Sequence, residues 1–292
     1  MRAGAIDQGV CTDRHVGTGV LRENGPMLPL TDWNPPAHIK GVFTDIDDTL
    51  TTEGVITPEA LQALMDLKAA GLCVVPITGR PVGWSEPFAQ SWPVDAIVAE
   101  NGAVAWVPQP GQALRKLYQQ DALTRQYHFV RMQQVLEQIE REIPGARRSQ
   151  DSTGRETDIA IDHSEFTHLP APAIDAVVRC MQAAGMKATV SSIHINGWFG
   201  DHDKLSGARW LVQALWGRPL HDEMDGWVYV GDSTNDQVMF EHFVHSVGVA
   251  NIVRFAPQLT HPPRFVTAAE RGAGFAQMAR HLLTHLSGSN RN

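Results

Sequence analysis

Short apolar runs alternate along the chain with stretches whose apolar residues recur every three or four positions. A short, mostly apolar strand is predicted at residues 39–44, and Thr57-Pro58 is typical of a helix N-cap with proline at the first helical position. A helical stripe follows at Ala60, Ala63, Leu64 and Leu67. Residues 72–77 (LCVVPI) then form a continuous apolar run, which is typical of a strand covered on both faces. The order strand, helix, strand predicts a parallel crossover unit.

Beyond this unit the pattern changes twice. Residues 95–106 predict a strand and hairpin that turns at Asn101-Gly102, and the PQPG stretch at residues 108–111 is typical of a linker. The next segment has a separate pattern of apolar positions. It predicts helices at 121–143 and 171–184 and strands at 146–150, 157–162 and 187–193. A new helix is then expected from Asp203, and a last one at residues 275–286.

These elements predict an α/β fold: a doubly wound, mostly parallel, Rossmann-like core with an inserted α/β domain. We expect the core at residues 37–111 and 193–292 and the insertion at residues 112–192. Residues 1–36 are glycine-rich and aperiodic, so they predict a flexible leader, within which Met27 is a candidate for the natural start.

The composition is that of an ordinary globular protein, with 292 residues of which 43% are hydrophobic. The net charge of −8 and the lack of a Lys/Arg-rich run argue against nucleic acid or an anionic membrane as the main partner. No stretch approaches the ~20 apolar residues of a membrane span. The three cysteines have no paired spacing, so we expect free thiols and a cytoplasmic location.

Three acids stand within four positions at the end of the first strand, in GVFTDIDDTL. Carboxylates this close repel one another, so Asp45, Asp47 and Asp48 predict a cation or a catalytic task. Asp45, Thr78 and Asp232 each follow a predicted parallel strand, and ligands bind at the carboxyl edge of such a sheet. Each motif alone is also compatible with an ordinary turn or helix start, but their convergence favours a ligand site.

Lys204 is an independent indication of an anionic ligand. Asp203 is typical of an N-cap, which places Lys204 in the first helical turn, where the macrodipole disfavours a cation by about 0.3–1 kcal/mol. A phosphate together with Asp45 and Asp232 would compensate for this, whereas a lysine that extends into solvent is the alternative.

Four motifs in this order resemble those of the haloacid dehalogenase superfamily of phosphohydrolases: DIDDTL, ITGR, the lysine of DKLSGARWL, and GDSTND. The insertion between the second and third motifs resembles the α/β cap of type IIB members. These include mannosyl-3-phosphoglycerate and sucrose-phosphate phosphatases, and phosphomannomutases. The resemblance covers roughly residues 38–287 and implies a phosphatase that acts on a small phosphorylated substrate such as a sugar phosphate, as a monomer or homodimer.

The resemblance also implies a role for each core motif. Asp45 would attack phosphorus to give an aspartyl-phosphate, and Asp47 would carry the proton to the leaving oxygen and later from water. Thr78 would hold a phosphoryl oxygen, and Lys204 would neutralise developing charge. Asp48 has no chemical role in this scheme.

The expected cofactor is Mg²⁺, because hard oxygen ligands suit it. Its ligands would be the side chains of Asp45 and Asp232 and the backbone carbonyl of Asp47, with Asp236 as a further ligand. The residues expected to bind substrate are Gly79, Arg80, Asn101 and Asn235 in the core motifs and Arg155, His194 and Asn196 in or near the cap. Of these, Arg155, His194 and Asn196 are expected to meet the leaving group, unless Arg155 lies in a solvated hairpin and His194 is a core histidine.

Three alternatives remain at this point. A phosphoacceptor receiver domain also uses acids, a threonine and a lysine, but it is small, lacks a cap and takes its phosphoacceptor from a later strand. A binding protein with an inactive site is disfavoured because no motif position is lost. A phosphomutase would use the same acids and return the phosphoryl group to a bound sugar.

Overall fold

The computed structural model describes residues 26–289. Its strands are β1 (Leu28–Pro29), β2 (Gly41–Thr44), β3 (Thr51–Thr52), β4 (Val55–Ile56), β5 (Cys73–Pro76), β6 (Ile97–Ala99), β7 (Val104–Val107), β8 (Arg115–Tyr118), β9 (Arg147–Arg148), β10 (Ile159–Asp162), β11 (Lys187–Val190), β12 (His194–Trp198), β13 (Trp227–Gly231), β14 (His245–Gly248) and β15 (Phe265–Val266). Its α-helices are α1 (Pro58–Ala69), α2 (Val82–Ser91), α3 (Ala122–Glu142), α4 (Ala171–Ala183), α5 (Lys204–Trp216), α6 (Gln237–His242) and α7 (Arg271–Ser289).

A six-stranded sheet with parallel pairings forms the centre of the core, in the order β1-β15-β14-β13-β2-β5. Alternate residues of its strands face opposite layers, as a sheet covered on both sides requires. Val42 and Val228 pack in one layer, whereas Phe43 and Tyr229 pack in the other. The predicted doubly wound, mostly parallel α/β fold is therefore confirmed.

Helices cover both faces of this sheet. Residues of α1, α2 and α7 pack on the face of Val42, and residues of α5 and α6 pack on the face of Phe43. The start of α1 follows the predicted cap, because the Ala60 backbone N–H donates to Thr57 Oγ1 at 3.3 Å. None of the helices in the described part of the chain has the length and apolar character needed to span a lipid bilayer.

A second, antiparallel sheet in the order β11-β12-β10-β9 packs with α3 and α4. Its own apolar core is built from residues of both helices and of the sheet: Met132, Leu136, Ile139, Ile161, Val177, Met181, Ile195 and Trp198. We refer to this unit as the cap. The helices and strands predicted between residues 121 and 193 all belong to it, with shorter strands than expected.

The boundaries between core and cap differ from the predicted ones at both ends. Strand β8 pairs with β7 of the core, although the insertion was expected to begin at residue 112. Strand β12 pairs with β10 and β11 of the cap, although the core was expected to resume at residue 193. Strand partners are chosen by contacts distant in sequence, which local periodicity does not reveal. The chain therefore crosses between the two units at residues 119–121 and 199–203.

The predicted leader is wrong for its last part. Strand β1 pairs in parallel with β15, and Trp33 is only 1% exposed, packed against Phe265 and His281. Two apolar side chains in a short, proline-rich stretch show neither a helical nor a strand pattern, so the sequence does not predict this segment. Their burial is nevertheless enough to anchor the segment to the core. The first 25 positions of the expected leader lie outside the described residues. Cys73 and Cys180 are free thiols, as expected.

Candidate active site

The carboxyl edge of the central sheet brings the core motifs together. Strand β2 lies between β13 and β5, so Asp45, Asp232 and Thr78 follow three neighbouring strands. All three are buried, with exposures of 4%, 0% and 1%. The Asp45 backbone N–H donates to the carbonyl of Val230 at 2.8 Å, which continues the parallel ladder and fixes where the Asp45 side chain begins.

Lys204 lies inside this cluster. Asp203 caps α5 by accepting from the Ser206 backbone N–H at 2.8 Å, so Lys204 is the first helical residue, as predicted. Its ammonium group lies 2.7 Å from Asp45 Oδ1 and 2.7 Å from Asp236 Oδ1, and the residue is 2% exposed. The alternative of a lysine that extends into solvent is therefore wrong.

Oxygen atoms of three buried acids, Asp45, Asp232 and Asp236, all lie within 4.8 Å of one another. Asp236 is heavily engaged: it also accepts from the Tyr229 hydroxyl and from the backbone N–H groups of Asp232 and Ser233 at 3.0 and 3.1 Å. Asp232 Oδ1, in contrast, is buried and has no hydrogen-bond partner among residues 26–289. An unpaired buried carboxylate oxygen beside two further acids fits a hard divalent cation.

Burial dominates the electrostatics of this cluster. It raises the pKa of Asp45 to about 7, with Lys204 opposing the shift and Asp236 adding to it. Burial, together with Asp45 and Asp236, raises the pKa of Asp232 well above its ordinary range. Burial also works to lower the pKa of Lys204, but Asp236 and Asp45 more than offset it, so that pKa is raised and the ammonium stays charged. The Lys204 ammonium lies between Asp45 and Asp236, and the Arg254 guanidinium contacts Asp232, so two cations face three carboxylates and leave room for a further cation.

Asp47 is held by Arg80. The Arg80 guanidinium donates from Nε to Asp47 Oδ2 at 2.9 Å and from Nη2 to Asp47 Oδ1 at 3.0 Å. The same guanidinium binds two carboxylates of the cap, Glu165 at 2.7 Å and Asp151 at 3.2 Å. Arg80 is 6% exposed and connects the core acid to the cap.

Thr78 and Asn101 lie in turns that approach each other. Thr78 Oγ1 accepts from the Arg80 backbone N–H at 3.0 Å, so its hydroxyl hydrogen is available to a ligand. The Asn101 backbone N–H donates to the Thr78 carbonyl at 3.0 Å. Glu100, Asn101 and Gly102 all have positive φ, at 49°, 55° and 110°. Such backbone is uncommon outside glycine and clusters at functional sites.

Comparison with known proteins agrees with this site. Residues 42–142, which include the Asp45 and Thr78 motifs, match the model of the haloacid dehalogenase-like hydrolase family. The Lys204 and Asp232 motifs lie beyond the matched segment and complete the same cluster. Over this segment the chain is similar to the haloacid dehalogenase-like hydrolases. The search of curated proteins found no relative.

Solved structures share the fold of this chain at low sequence identity. A Thermoplasma acidophilum protein is 18% identical with a TM-score of 0.65, over 84% of this chain and 98% of that one. The sucrose-phosphatase of Synechocystis, solved with sucrose and phosphate, is 16% identical with a TM-score of 0.61, over 83% and 97%. A haloacid dehalogenase-like hydrolase of B. subtilis is 16% identical with a TM-score of 0.60, over 84% and 100%. At these identities the likeness shows the fold.

The residues that were expected to meet the leaving group of the substrate lie in a buried network between core and cap. Arg155 Nη1 donates to the Gly79 carbonyl at 2.9 Å and to Asp158 Oδ1 at 2.7 Å. Asn196 Nδ2 donates to the same carbonyl at 3.2 Å and to Asp158 Oδ2 at 3.0 Å. Arg155 is 5% exposed, so the alternative of a solvated hairpin is wrong.

His194 belongs to the same boundary. Its Nε2 lies 2.8 Å from Glu165 Oε2, and Glu165 also binds Arg80. His194 therefore contacts a partner of Arg80, the residue that holds Asp47, rather than lying alone in an apolar core.

A cavity of about 470 Å³ opens beside Lys204, between core and cap. Of the residues expected to bind substrate, Asn101 and Asn235 line it, whereas Arg155, His194 and Asn196 do not. Cap residues that line it and were not predicted include Gln182, Lys187, Thr189 and Trp198. The cap closes over one side of it, because Thr234 Oγ1 donates to the carbonyl of Val190 at 2.6 Å.

The side chains that contact Asp232 from outside the acidic cluster were also not predicted from the sequence. Asn251 Nδ2 and Arg254 Nη2 approach Asp232 Oδ2 at 3.0 and 3.1 Å. They lie 19 and 22 positions after Asp232, in a segment without a motif. A polar contact of Tyr229 could have been predicted, because a buried hydroxyl in the otherwise apolar strand WVYVG needs a polar partner.

Proposed function

We propose that this hydrolase is a Mg²⁺-dependent phosphomonoester phosphatase that acts on a sugar phosphate or phosphorylated glycoside through an aspartyl-phosphate at Asp45. The observation that carries the proposal is the buried ammonium of Lys204, placed 2.7 Å from both Asp45 and Asp236. Charge balance and positioning supply most of the catalysis of phosphoryl transfer. A site with a fixed cation, a buried nucleophile and unpaired carboxylate oxygen has the components that this reaction needs.

The metal would be held by residues that the fold already brings together. Asp45 and Asp232 are the first candidates, because Asp236 is occupied by Lys204, Tyr229 and two backbone N–H groups. The backbone carbonyl of Asp47 is the proposed third protein ligand. Bound Mg²⁺ would neutralise charge on the carboxylates and on the transferring phosphoryl group.

In the first step, a carboxylate oxygen of Asp45 forms a bond to phosphorus and the bond from phosphorus to the leaving oxygen breaks. Lys204 binds Asp45 Oδ1 at 2.7 Å, so it orients the carboxylate and leaves Oδ2 for attack. Asp47 supplies the proton that the leaving alcohol needs. The Thr78 hydroxyl is placed to donate to a phosphoryl oxygen.

In the second step, water attacks the phosphorus of the aspartyl-phosphate and the bond to Asp45 breaks. Asp47, now ionised, accepts the proton from that water, and inorganic phosphate leaves. Arg80 donates to both oxygens of Asp47 and so fixes the orientation of this carboxyl group. Because Arg80 also binds Glu165 and Asp151, the position of Asp47 is tied to the position of the cap.

Two observations support a sugar-phosphate substrate. The cavity beside Lys204 is lined by hydrogen-bonding side chains, among them Asn101, Gln182, Thr189 and Asn235, and also by Trp198. Polar groups of this kind suit hydroxyls, and an aromatic face suits the apolar side of a sugar ring. One structural neighbour is a phosphatase of sucrose-phosphate, as its complex with sucrose and phosphate indicates.

The test is phosphate release from a panel of sugar phosphates, nucleotides and phosphoglycerate derivatives, with Mg²⁺ or with excess chelator. We expect release from one or more sugar phosphates with Mg²⁺ and at least about 100-fold less with chelator, because metal neutralisation contributes several kcal/mol. Full activity in chelator would contradict the metal requirement. Recovery of a rearranged sugar phosphate without free phosphate would identify a phosphomutase instead.

A further inference from the structure

Asp48 is the acid of the first motif that the proposed chemistry leaves without a role, and it lies in unusual surroundings. Its φ is +55°, a left-handed value that is uncommon for a residue other than glycine. Its carboxylate is 3.0 Å from Arg254 Nη2 and 3.2 Å from Arg271 Nε. Arg271 also has positive φ, at +52°. The fold thus maintains two costly backbone conformations around one carboxylate and two guanidinium groups.

This cluster is joined to the proposed metal ligand Asp232. Arg254 Nη2 lies 3.1 Å from Asp232 Oδ2, so one guanidinium is shared between Asp48 and Asp232. Asn251 Nδ2 donates to Asp232 Oδ2 at 3.0 Å and to the backbone carbonyl of Asp48 at 3.1 Å. Asp232 has no exposed surface, and its Oδ1 has no partner in the described part of the chain.

The charges in this cluster have opposite effects on a cation at Asp232. Arg254 contacts Asp232 and Arg271 contacts Asp48, so two guanidinium groups near the ligand would repel a divalent cation. Their side chains are 42% and 30% exposed, so solvent screens part of this repulsion. Across residues 26–289, Asp48 is the one carboxylate in ion-pair contact with Arg271, and it shares Arg254 with Asp232. Removing the Asp48 charge would therefore leave both arginines uncompensated on that side of the site.

We propose that Asp48 is a positioning residue for the metal site: by pairing with Arg254 and Arg271 it offsets their charge beside Asp232 and maintains the affinity for Mg²⁺. Arg254 and Asn251 meanwhile hold Asp232 Oδ2 and leave Oδ1 directed to the cation. This inference depends on the proposed function, since it assumes that Asp232 binds Mg²⁺.

The experiment measures binding of Mg²⁺ alone to the full chain, by calorimetric titration and by the metal-dependent shift in Tm. Asp48→Asn removes the charge and keeps the backbone, because asparagine tolerates positive φ. We expect the Kd for Mg²⁺ to rise by about tenfold or more. Glu53→Gln is the matched control: Glu53 also has positive φ, at +52°, and is exposed. It makes the same change in net charge and should alter the Kd by less than about twofold.

A second variant separates charge from structure. In Asp48→Asn/Arg254→Gln the uncompensated guanidinium beside Asp232 is gone, so the Kd should return to within about threefold of the parent. Arg254→Gln alone should bind Mg²⁺ as tightly as the parent or more tightly, which keeps a test available if Asp48→Asn does not fold.

The outcomes distinguish the two proposals. If the parent does not bind Mg²⁺, the proposed function fails. If the parent binds and Asp48→Asn has the same Kd, or the double variant remains as weak as Asp48→Asn, the role of Asp48 is wrong. Weaker binding by about tenfold in Arg254→Gln would also overturn it, because the arginine would then support the metal rather than oppose it.

Discussion

Lys204 shows how single residues in this site are stable only together. A lysine in the first turn of a helix is disfavoured by about 0.3–1 kcal/mol, and burying an ammonium costs considerably more. Asp45 and Asp236 offset both costs through contacts of 2.7 Å, and in turn they would repel each other without the ammonium. The functional cluster is therefore also an electrostatic unit of the fold, and changing one member alters activity and stability at once.

Asp45→Asn should separate these two effects. We expect turnover below a few per cent of the parent, because an amide oxygen is a poor nucleophile toward phosphorus. In chelator the variant should unfold at the same or a higher Tm, because one of three crowded buried carboxylates is gone. Phosphate release and thermal unfolding measure the two quantities. Activity above a few per cent would remove Asp45 from the role of nucleophile.

Asp158 makes a pH-dependent contribution at the boundary of core and cap. Burial raises its pKa from 3.8 to about 7, with Arg155 opposing the shift. Between these values the folded protein binds a proton that the unfolded chain has lost, so stability falls as pH rises through this window. Relative to Asp158→Asn, the parent should therefore lose Tm from about pH 4 to about pH 7 and change little above it. A difference in Tm that is flat or rises with pH would contradict the shift.

At the scale of elements, the features that depend on neighbouring residues were predicted better than the features that depend on residues distant in sequence. Helix α3, expected at residues 121–143, is observed at Ala122–Glu142, because Asp121 caps it and accepts from the Thr124 backbone N–H at 3.0 Å. Strand β12 belongs to the cap, although the core was expected to resume at residue 193. Its periodicity is the same in either sheet, and its pairing with β10 is decided by residues more than thirty positions away.

The same distinction applies to the candidate site. Asp45, Asp232 and Lys204 could be predicted to meet because each follows a recognisable start or end of an element. Asn251 and Arg254 could not, since they come from an irregular segment of short helical turns and reach Asp232 only through the tertiary fold. Asp48 was noticed as an acid, but its partners are 206 and 223 positions away, and no local pattern predicts such a pair.

The segment around Trp33 is an element that the sequence did not reveal, and its contribution can be measured. Trp33 Nε1 donates to His245 Nδ1 at 3.2 Å, and the Trp33 ring stacks on His281 at 5.7 Å. Trp33→Ala should destabilise the protein by about 3–5 kcal/mol, as expected for a buried aromatic. Trp33→Phe keeps most of the packing and should lose only about 1 kcal/mol with the hydrogen bond. Chemical denaturation of the full chain gives both values, and an unchanged unfolding midpoint in Trp33→Ala would make this segment peripheral.

For the whole molecule, the notable feature is that core and cap share charged contacts next to the proposed nucleophile, Asp45. Arg80 joins Asp47 to Glu165, and Arg155 joins the Gly79 carbonyl to Asp158. Buried ion pairs contribute little net stability, but removing one partner is costly. The cap is thus held in one position over the core by contacts that also orient Asp47, the proposed acid and base. The space that remains for a leaving group is the cavity lined by Lys187 and Lys204.

This arrangement leads to a prediction about substrate choice that involves both units. Lys187 lines the cavity, and its side chain is 40% exposed, with Nζ donating to the Asp201 carbonyl at 2.6 Å. If a sugar leaving group occupies this cavity, Lys187→Met should lower kcat/KM for the best sugar phosphate by about tenfold, or about 1.4 kcal/mol. A small aryl phosphate does not reach the cap, so its hydrolysis should change by less than about twofold.

Arg155→Ala is the informative comparison, since its guanidinium was expected from the sequence to meet the leaving group. In the structure it binds the Gly79 carbonyl, one position from Thr78, so its loss should displace the turn that is proposed to bind phosphate and lower kcat/KM for both substrates. A loss confined to the sugar phosphate in Arg155→Ala would instead place Arg155 against the leaving group. An equal loss on both substrates in Lys187→Met would mean that the cavity beside Lys204 does not select the sugar. The pair of variants therefore decides whether Lys187 or Arg155 meets the leaving group, because each hypothesis requires a loss that is selective for the sugar phosphate in a different residue.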